Sequence, residues 1–265
     1  MRVRSNAHSN NQADFENFLL CIGNGKEKLY PNIGSAKIQL PKDLCICPDK
    51  NGLKTLTHKL YDRAILTTTN DDVDTINTMV MDMFPSTVSK TYLSADTVED
   101  ESTGYFITPS GTPPNKLTLK KHAPIMLLRN LNPAAGLLNG TRLSVLNLGT
   151  RLIETKILTG THAGNTVFLP RITIIPSDAE LPFNLKRRQF PIKPAFSVTI
   201  NKAQGQTLGQ IGLDLTKPVF SHGQLYVAFS RVRNFKSISI LPAADSLFDG
   251  QYYTDNIVYE GVIQH

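Results

Sequence analysis

Two short segments of this chain carry polar groups in arrangements that could do chemistry. In the first, Phe196 to Leu208, the side chains of Thr199, Asn201, Lys202 and Gln204 crowd the end of a β-favouring run. Gly205 follows and lets the backbone turn tightly or approach a ligand closely. Hydroxyl, amide and ammonium groups gathered in this way suit phosphate contact, and they equally describe a solvated surface turn. In the second, Ser221 to Val232, the residues Gln224, Tyr226 and Arg231 fall on or at the end of a short predicted helix. Arg231 could present its planar fork to phosphate oxygens, or it could simply favour the negative end of its helix.

Composition sets the frame for these groups. The 265 residues suffice for one large domain or two smaller ones, and 28 Lys plus Arg against 22 Asp plus Glu give a formal charge of +6. That balance favours an anionic partner, of which nucleic acid is the commonest, without singling it out. Cys21, Cys45 and Cys47 make an odd count with no second Cys pair or His cluster to complete a zinc site, so buried or incidental thiols in a reducing compartment are expected. No His-Glu-x-x-His occurs, and a metal held by this chain is not expected. Neither a signal-peptide core nor an apolar run of membrane-spanning length is present, so an intracellular protein without a membrane partner is expected.

The elements that must position the two segments read as α/β. Phe15, Phe18, Leu19 and Ile22 predict an amphipathic helix from Asp14 that stops before Gly23 and Gly25, and Ala36 to Leu40 reads as a short strand. Ala64 to Thr69 predicts a strand, Asn70, Asp71 and Asp72 an N-terminal cap, and Val73, Ile76, Val80, Met83 and Phe84 a helix ended by Pro85. The middle of the chain is different. Strands are predicted at Leu117 to Leu119, Ile125 to Arg129, Thr141 to Leu148, Leu152 to Leu158 and Thr166 to Ile175, separated by turn-forming clusters, which suggests a small barrel or meander. The α/β pattern then returns, with strands at Phe196 to Ile200, Ile211 to Leu215 and Ser237 to Leu241 and a helix from about Ser221 to Ser230. The expected domain limits are 1–86, an insert at 87–188, a return at 189–245 and a tail at 246–265.

Taken in order, the two polar segments resemble motifs five and six of superfamily-one helicases. Ile65 to Val73, Thr91 to Asp96, Ala123 to Leu131, Asn139 to Arg142, Leu158 to Gly164, Phe183 to Pro191 and Asn256 to Tyr259 narrow the resemblance to the Pif-type (petite integration frequency), RecD-like branch of ATP-dependent DNA helicases. The resemblance spans nearly the whole chain and implies a second RecA-like domain interrupted by a small SH3-like β-barrel. It implies 5′ to 3′ movement on single-stranded DNA driven by ATP with Mg²⁺, in a nuclear setting or, alternatively, a mitochondrial one. By the same carry-over Arg231 would be the arginine finger, Gln204 and Gly205 would lie near the nucleotide, and Gln224 and Tyr226 would support the arginine helix. Thr69, Asn70, Thr199, Asn201 and Lys202 would contact DNA, and Arg2 would match the motif-four arginine. Lys186, Arg187 and Arg188 could line a DNA channel or form a solvated charge run.

A phosphate-gripping Gly-x-x-x-x-Gly-Lys-Ser/Thr loop does not occur in this sequence, nor does an evident acidic pair after an apolar strand. The chain is therefore expected to be the second half of a motor, with ATP and Mg²⁺ bound mainly by an upstream P-loop RecA-like domain in the same gene or in another chain. The alternative is a non-catalytic DNA-binding remnant of a helicase or mobile element.

Overall fold

The computed structural model describes residues 6–58, 64–98, 111–176 and 185–259. It divides into two compact units, Met1–Ile76 with Phe196–His265, and Asn77–Ala195.

The first unit opens with α1 (Asn6–Gly23), longer at its start than the apolar spacing predicts. Phe15 and Ile22 are buried, and the Phe15 and Phe18 rings meet those of Phe235 and Phe229 edge-on at 4.9 and 5.2 Å. Gly25 ends the helix in the left-handed region at φ 64°. Its N–H donates to Ile22 O and that of Lys26 to Cys21 O, the paired bonds that satisfy the last helical carbonyls. A short strand β1 (Lys37–Gln39) and helix α2 (Gly52–His58) lead to β2 (Ala64–Thr67) and α3 (Asn70–Met83). The cap of α3 is Thr69 rather than Asn70: Thr69 O accepts from Val73 N, and Thr69 Oγ1 accepts from Asp72 N.

The second unit is made almost wholly of β3 (Ser89–Leu93), β4 (Ala95–Val98), β5 (Lys116–Lys120), β6 (Pro124–Leu127), β7 (Arg142–Leu148), β8 (Leu152–Ile157), β9 (Thr166–Pro170), β10 (Ile172–Ile174), β11 (Leu185–Gln189) and β12 (Ile192–Pro194). Its largest sheet is antiparallel in the order β12-β6-β7-β8-β9, a meander with one strand added. The outer strands β12 and β9 do not pair with each other, so hydrogen bonding alone leaves this sheet open at both edges. The single strand expected over Thr166 to Ile175 is two, divided at Arg171: β9 joins the large sheet, while β10 pairs with β11 in a second sheet ordered β10-β11-β4. Arg171 Nη1 donates to Leu93 O at the break.

The chain then returns to the first unit through β13 (Ser197–Thr199), β14 (Ile211–Leu215), α4 (Gln224–Phe229) and β15 (Ile238–Pro242). These complete a parallel sheet in the order β13-β2-β14-β15. Every residue of β2, β13 and β14 is buried, as the near-continuous apolar runs of a covered parallel sheet require. The residues expected as a tail form β16 (Leu247–Phe248) and β17 (Gln251–Asp255), a hairpin turned at Asp249 and Gly250, whose φ values are 48° and 71°. β17 also pairs with β1, where Lys37 and Asp255 form an ion pair at 3.0 Å.

Candidate nucleotide and nucleic-acid site

In a parallel sheet the strands all end on one edge, so the groups that follow them gather there. Thr199 stands in register with Thr67, and Leu66 with Leu213, which puts the exits of β13, β2 and β14 side by side. At the β13 exit the chain enters a 3-10 turn, Ile200–Ala203, anchored by the buried side chains of Ile200 and Ala203. Asn201 and Lys202 are left exposed, while Thr199 is 8% exposed. Gln204 and Gly205 follow on the surface, Gly205 at φ 80°, a conformation that a side chain would strain.

The β2 exit carries Thr69 and the exposed Asn70. Thr69 Oγ1 donates to Asp72, whose other carboxylate oxygen pairs with Lys217 Nζ at 2.7 Å. Beside them Asp214 is buried, which raises its carboxyl above the ordinary range, although Thr216 N and Oγ1 donate to it at 3.0 and 2.7 Å and oppose the rise. The hydrogen bond to Asp72 raises the Lys217 ammonium in turn, so the two form an ion pair next to the Thr69 cap.

The arginine-bearing helix α4 has only six residues and is tied at its start by neighbouring chain. Gly223 N donates to Ile257 O, and His222 Nδ1 accepts from Tyr259 N while the two rings stack. Gln224 is 1% exposed; its Oε1 accepts from Phe220 N at 3.0 Å, and its Nε2 has no partner among the described residues. Tyr226, 40% exposed, lies against Gly23 of α1, where a Cβ would come within 3.0 Å of the ring.

Arg231 leaves the end of this helix half-buried, with four of its five N–H donors engaged by its own chain. Nε donates to Val227 O at 2.8 Å and Nη2 to Ser230 Oγ at 2.7 Å. Nη1 crosses to the turn after β13, donating to Gln206 O at 3.0 Å and Ala203 O at 3.3 Å. Burial lowers the guanidinium below its ordinary value, yet such a group remains charged at neutral pH. The two polar segments are therefore one assembly, with Gln204 and Gly205 in the turn that the guanidinium grips from both sides.

Other expected site residues lie elsewhere. Arg2 is outside the described residues. Lys186, Arg187 and Arg188 are on β11 in the second unit, and their side chains alternate across the sheet. Lys186 and Arg188 are exposed, but Arg187 is 1% exposed, a correction to its expected place in a DNA channel. Its Nε and Nη2 clasp the Asp96 carboxylate at 2.8 to 3.1 Å, and its Nη1 donates to Pro113 O. Burial alone would raise the Asp96 carboxyl, but hydrogen bonds from Arg187, Ser94 and Asn115 with the Arg187 charge outweigh it and hold the group low. Sequence reasoning missed Ser230, Lys217 and the two carbonyls of the turn; a backbone acceptor leaves no compositional signal. Among the described residues no cluster of His, Cys, Asp or Glu could hold a metal, and no helix is long and apolar enough to cross a membrane.

A parallel sheet with polar exits, and a cationic helix end folded onto one of them, defines an α/β domain, a class that places its ligands at the carboxyl ends of its strands. Comparison with known proteins is more specific. The family described as "DNA helicase Pif1, 2B domain" matches residues 106–148. The ATP-dependent DNA helicase PIF1 of Xenopus laevis is 30% identical over 71% of this chain and 29% of its own length; the Homo sapiens protein is 34% identical over 47% of this chain and 19% of its own. A solved structure of Bacteroides Pif1 bound to ssDNA, 23% identical, matches with TM-score 0.55 over 86% of this chain and 48% of that one. The chain is homologous to the Pif1-family, superfamily-one DNA helicases. It spans less than a third of the length of the two curated relatives.

Proposed function

We propose that this chain is the C-terminal half of an ATP-dependent 5′ to 3′ DNA helicase, acting in the nucleus or in the mitochondrion. Its parallel-sheet unit is the second RecA-like domain, and its antiparallel unit is an SH3-like insert. The observation that carries the reading is the joining of Arg231 to the turn that follows Thr199, Asn201 and Lys202, which puts a cation and a phosphate-contacting segment into one assembly. Arg231 serves as the arginine finger, with Gln204 and Gly205 near the nucleotide and with Gln224 and Tyr226 supporting the short helix. Thr69, Asn70, Thr199, Asn201 and Lys202 contact the backbone of single-stranded DNA, and the exposed cations of Lys186 and Arg188 add to that contact. ATP and Mg²⁺ are held mainly by an upstream P-loop domain, so the polypeptide by itself turns over ATP negligibly. Charge developing on a transferring phosphoryl group would draw Nη1 from its two carbonyl partners, an exchange of neutral acceptors for an anion.

The engagement of four of the five Arg231 N–H donors with its own chain favours a second reading, a non-catalytic DNA-binding remnant of a helicase or mobile element. Mixing or fusing the chain with a cognate P-loop domain separates the two. DNA-stimulated ATP hydrolysis that disappears in Arg231→Ala supports the motor, and no stimulation with any such domain supports the remnant.

A further inference from the structure

The four hydrogen bonds of Arg231 fall into two classes. Those to Val227 O and Ser230 Oγ remain within its own helical segment and can travel with it. Those from Nη1 end on Ala203 O and Gln206 O, which bracket the exposed Gln204-Gly205 turn immediately after Asn201 and Lys202. Ile200 and Ala203 anchor the 3-10 turn from below with their buried side chains, and the remaining hydrogen bonds of the Gln204-Gly205 turn are few. Gln206 N donates to Ala203 O at 3.1 Å, Gln204 N to Asn201 O at 3.3 Å, and Gln206 Nε2 to Lys202 O at 3.2 Å, all within the segment itself; Leu208 N donates outward to Arg231 O at 2.8 Å. Gln206 Oε1 is buried without a partner, and Gly205 is held at positive φ with open space where a Cβ would be.

We infer that Arg231 is a strut for the DNA-contacting segment, so that an anion which draws its guanidinium off Ala203 O and Gln206 O loosens Asn201 and Lys202 and weakens the grip on single-stranded DNA. The inference rests on the proposed DNA role of that segment. Carbonyl oxygens are neutral acceptors, and a phosphate group forms stronger charge-assisted bonds with a guanidinium, so the exchange favours the anion. The ordered turn preorganises Asn201 and Lys202 for a phosphate backbone; once the strut leaves, that ordering must be supplied from binding energy. Linkage makes the effect reciprocal, and DNA bound at the turn holds Arg231 back from the anion by the same factor.

The test uses the full chain, a labelled oligo-dT and pyrophosphate as the anion, at matched ionic strength. Arg231→Ala is expected to speed amide exchange at Gln204, Gln206 and Leu208 and to lower oligo-dT affinity about tenfold, within the usual range of such couplings. Pyrophosphate added to the unaltered chain should reproduce both changes, which keeps the test valid if the alanine variant folds poorly, and should do nothing further to a folded Arg231→Ala. Unchanged amides and affinity on pyrophosphate addition, with Lys202→Ala still weakening oligo-dT, would overturn the strut and leave the DNA role standing. A silent Lys202→Ala would instead remove the DNA role, and the coupling with it.

Discussion

Arg187 is fully buried and Arg231 half-buried, and both are held by several hydrogen bonds, but with opposite partners. Arg187 is clasped by the Asp96 carboxylate, so its charge is neutralised where it sits. Arg231 rests on backbone carbonyls and a hydroxyl, so its positive charge is solvated by dipoles and not cancelled. A guanidinium held by carbonyls can be exchanged onto an arriving anion; one held by a carboxylate already has its anion. The residue type and a basic surrounding sequence do not distinguish the two, and the partner does.

The largest expected effect is on the exchangeable arginine. In a chain joined to a cognate P-loop domain, Arg231→Ala should lower DNA-stimulated ATP turnover by about 10³ or more, the usual effect of removing an arginine finger. A variant that retained turnover within a few fold would place the transition-state charge on another group, and Arg231 would then be a strut alone.

Arg187→Ala should act on stability. It removes the buried member of a bidentate pair whose other member, the Asp96 carboxylate, is part-exposed and can turn to water, a loss of about 2 kcal/mol. Denaturant unfolding of the full chain would read this directly, and a loss near zero would mean that the pair is solvated and resembles Arg231 more than the comparison allows.

The same pair carries a pH signature of definite sign. Asp96 is held below its ordinary value in the folded chain, so its contribution is fully present above the unfolded carboxyl value of about 3.9. It is lost as pH falls through the depressed folded value. Asp96→Asn should therefore flatten the acid limb of the stability curve, whereas Arg231, with no carboxylate partner, should leave that limb unchanged when replaced.

How far these differences could be read in advance depends on the range of the interaction. The parallel-sheet strands at Ala64 and Ile211, helix α3 and most of the meander were legible because each is set by a local apolar pattern. The hairpin β16–β17 was not, since its residues reach the fold by pairing with β1, more than 200 positions away. The division at Arg171 depends on two sheets competing for one apolar run, which no local pattern encodes. In the site, the two polar segments were found by residue type and resemblance, but their joining rests on carbonyl acceptors. Arg187 was read with its neighbours as one charge run. The structure buries Leu185, Arg187 and Gln189 with a period of two, but their residue types show no such alternation, and the counter-ion Asp96 lies 91 residues earlier.

That alternation also supplies the smallest effect and the finest test. Arg188, next in sequence to Arg187, points to the exposed face of β11, so Arg188→Ala should change stability by less than about 0.5 kcal/mol. The DNA contact proposed for it is read in the salt dependence of binding. A phosphate contact on single-stranded DNA contributes about 0.7 to the slope of log affinity against log salt, and Arg188→Ala should reduce the slope by that amount while Arg187→Lys, which preserves charge but not the bidentate clasp, leaves it unaltered. An unchanged slope in Arg188→Ala would make the outward half of this strand a solvated charge run and confine DNA contact to the parallel-sheet edge.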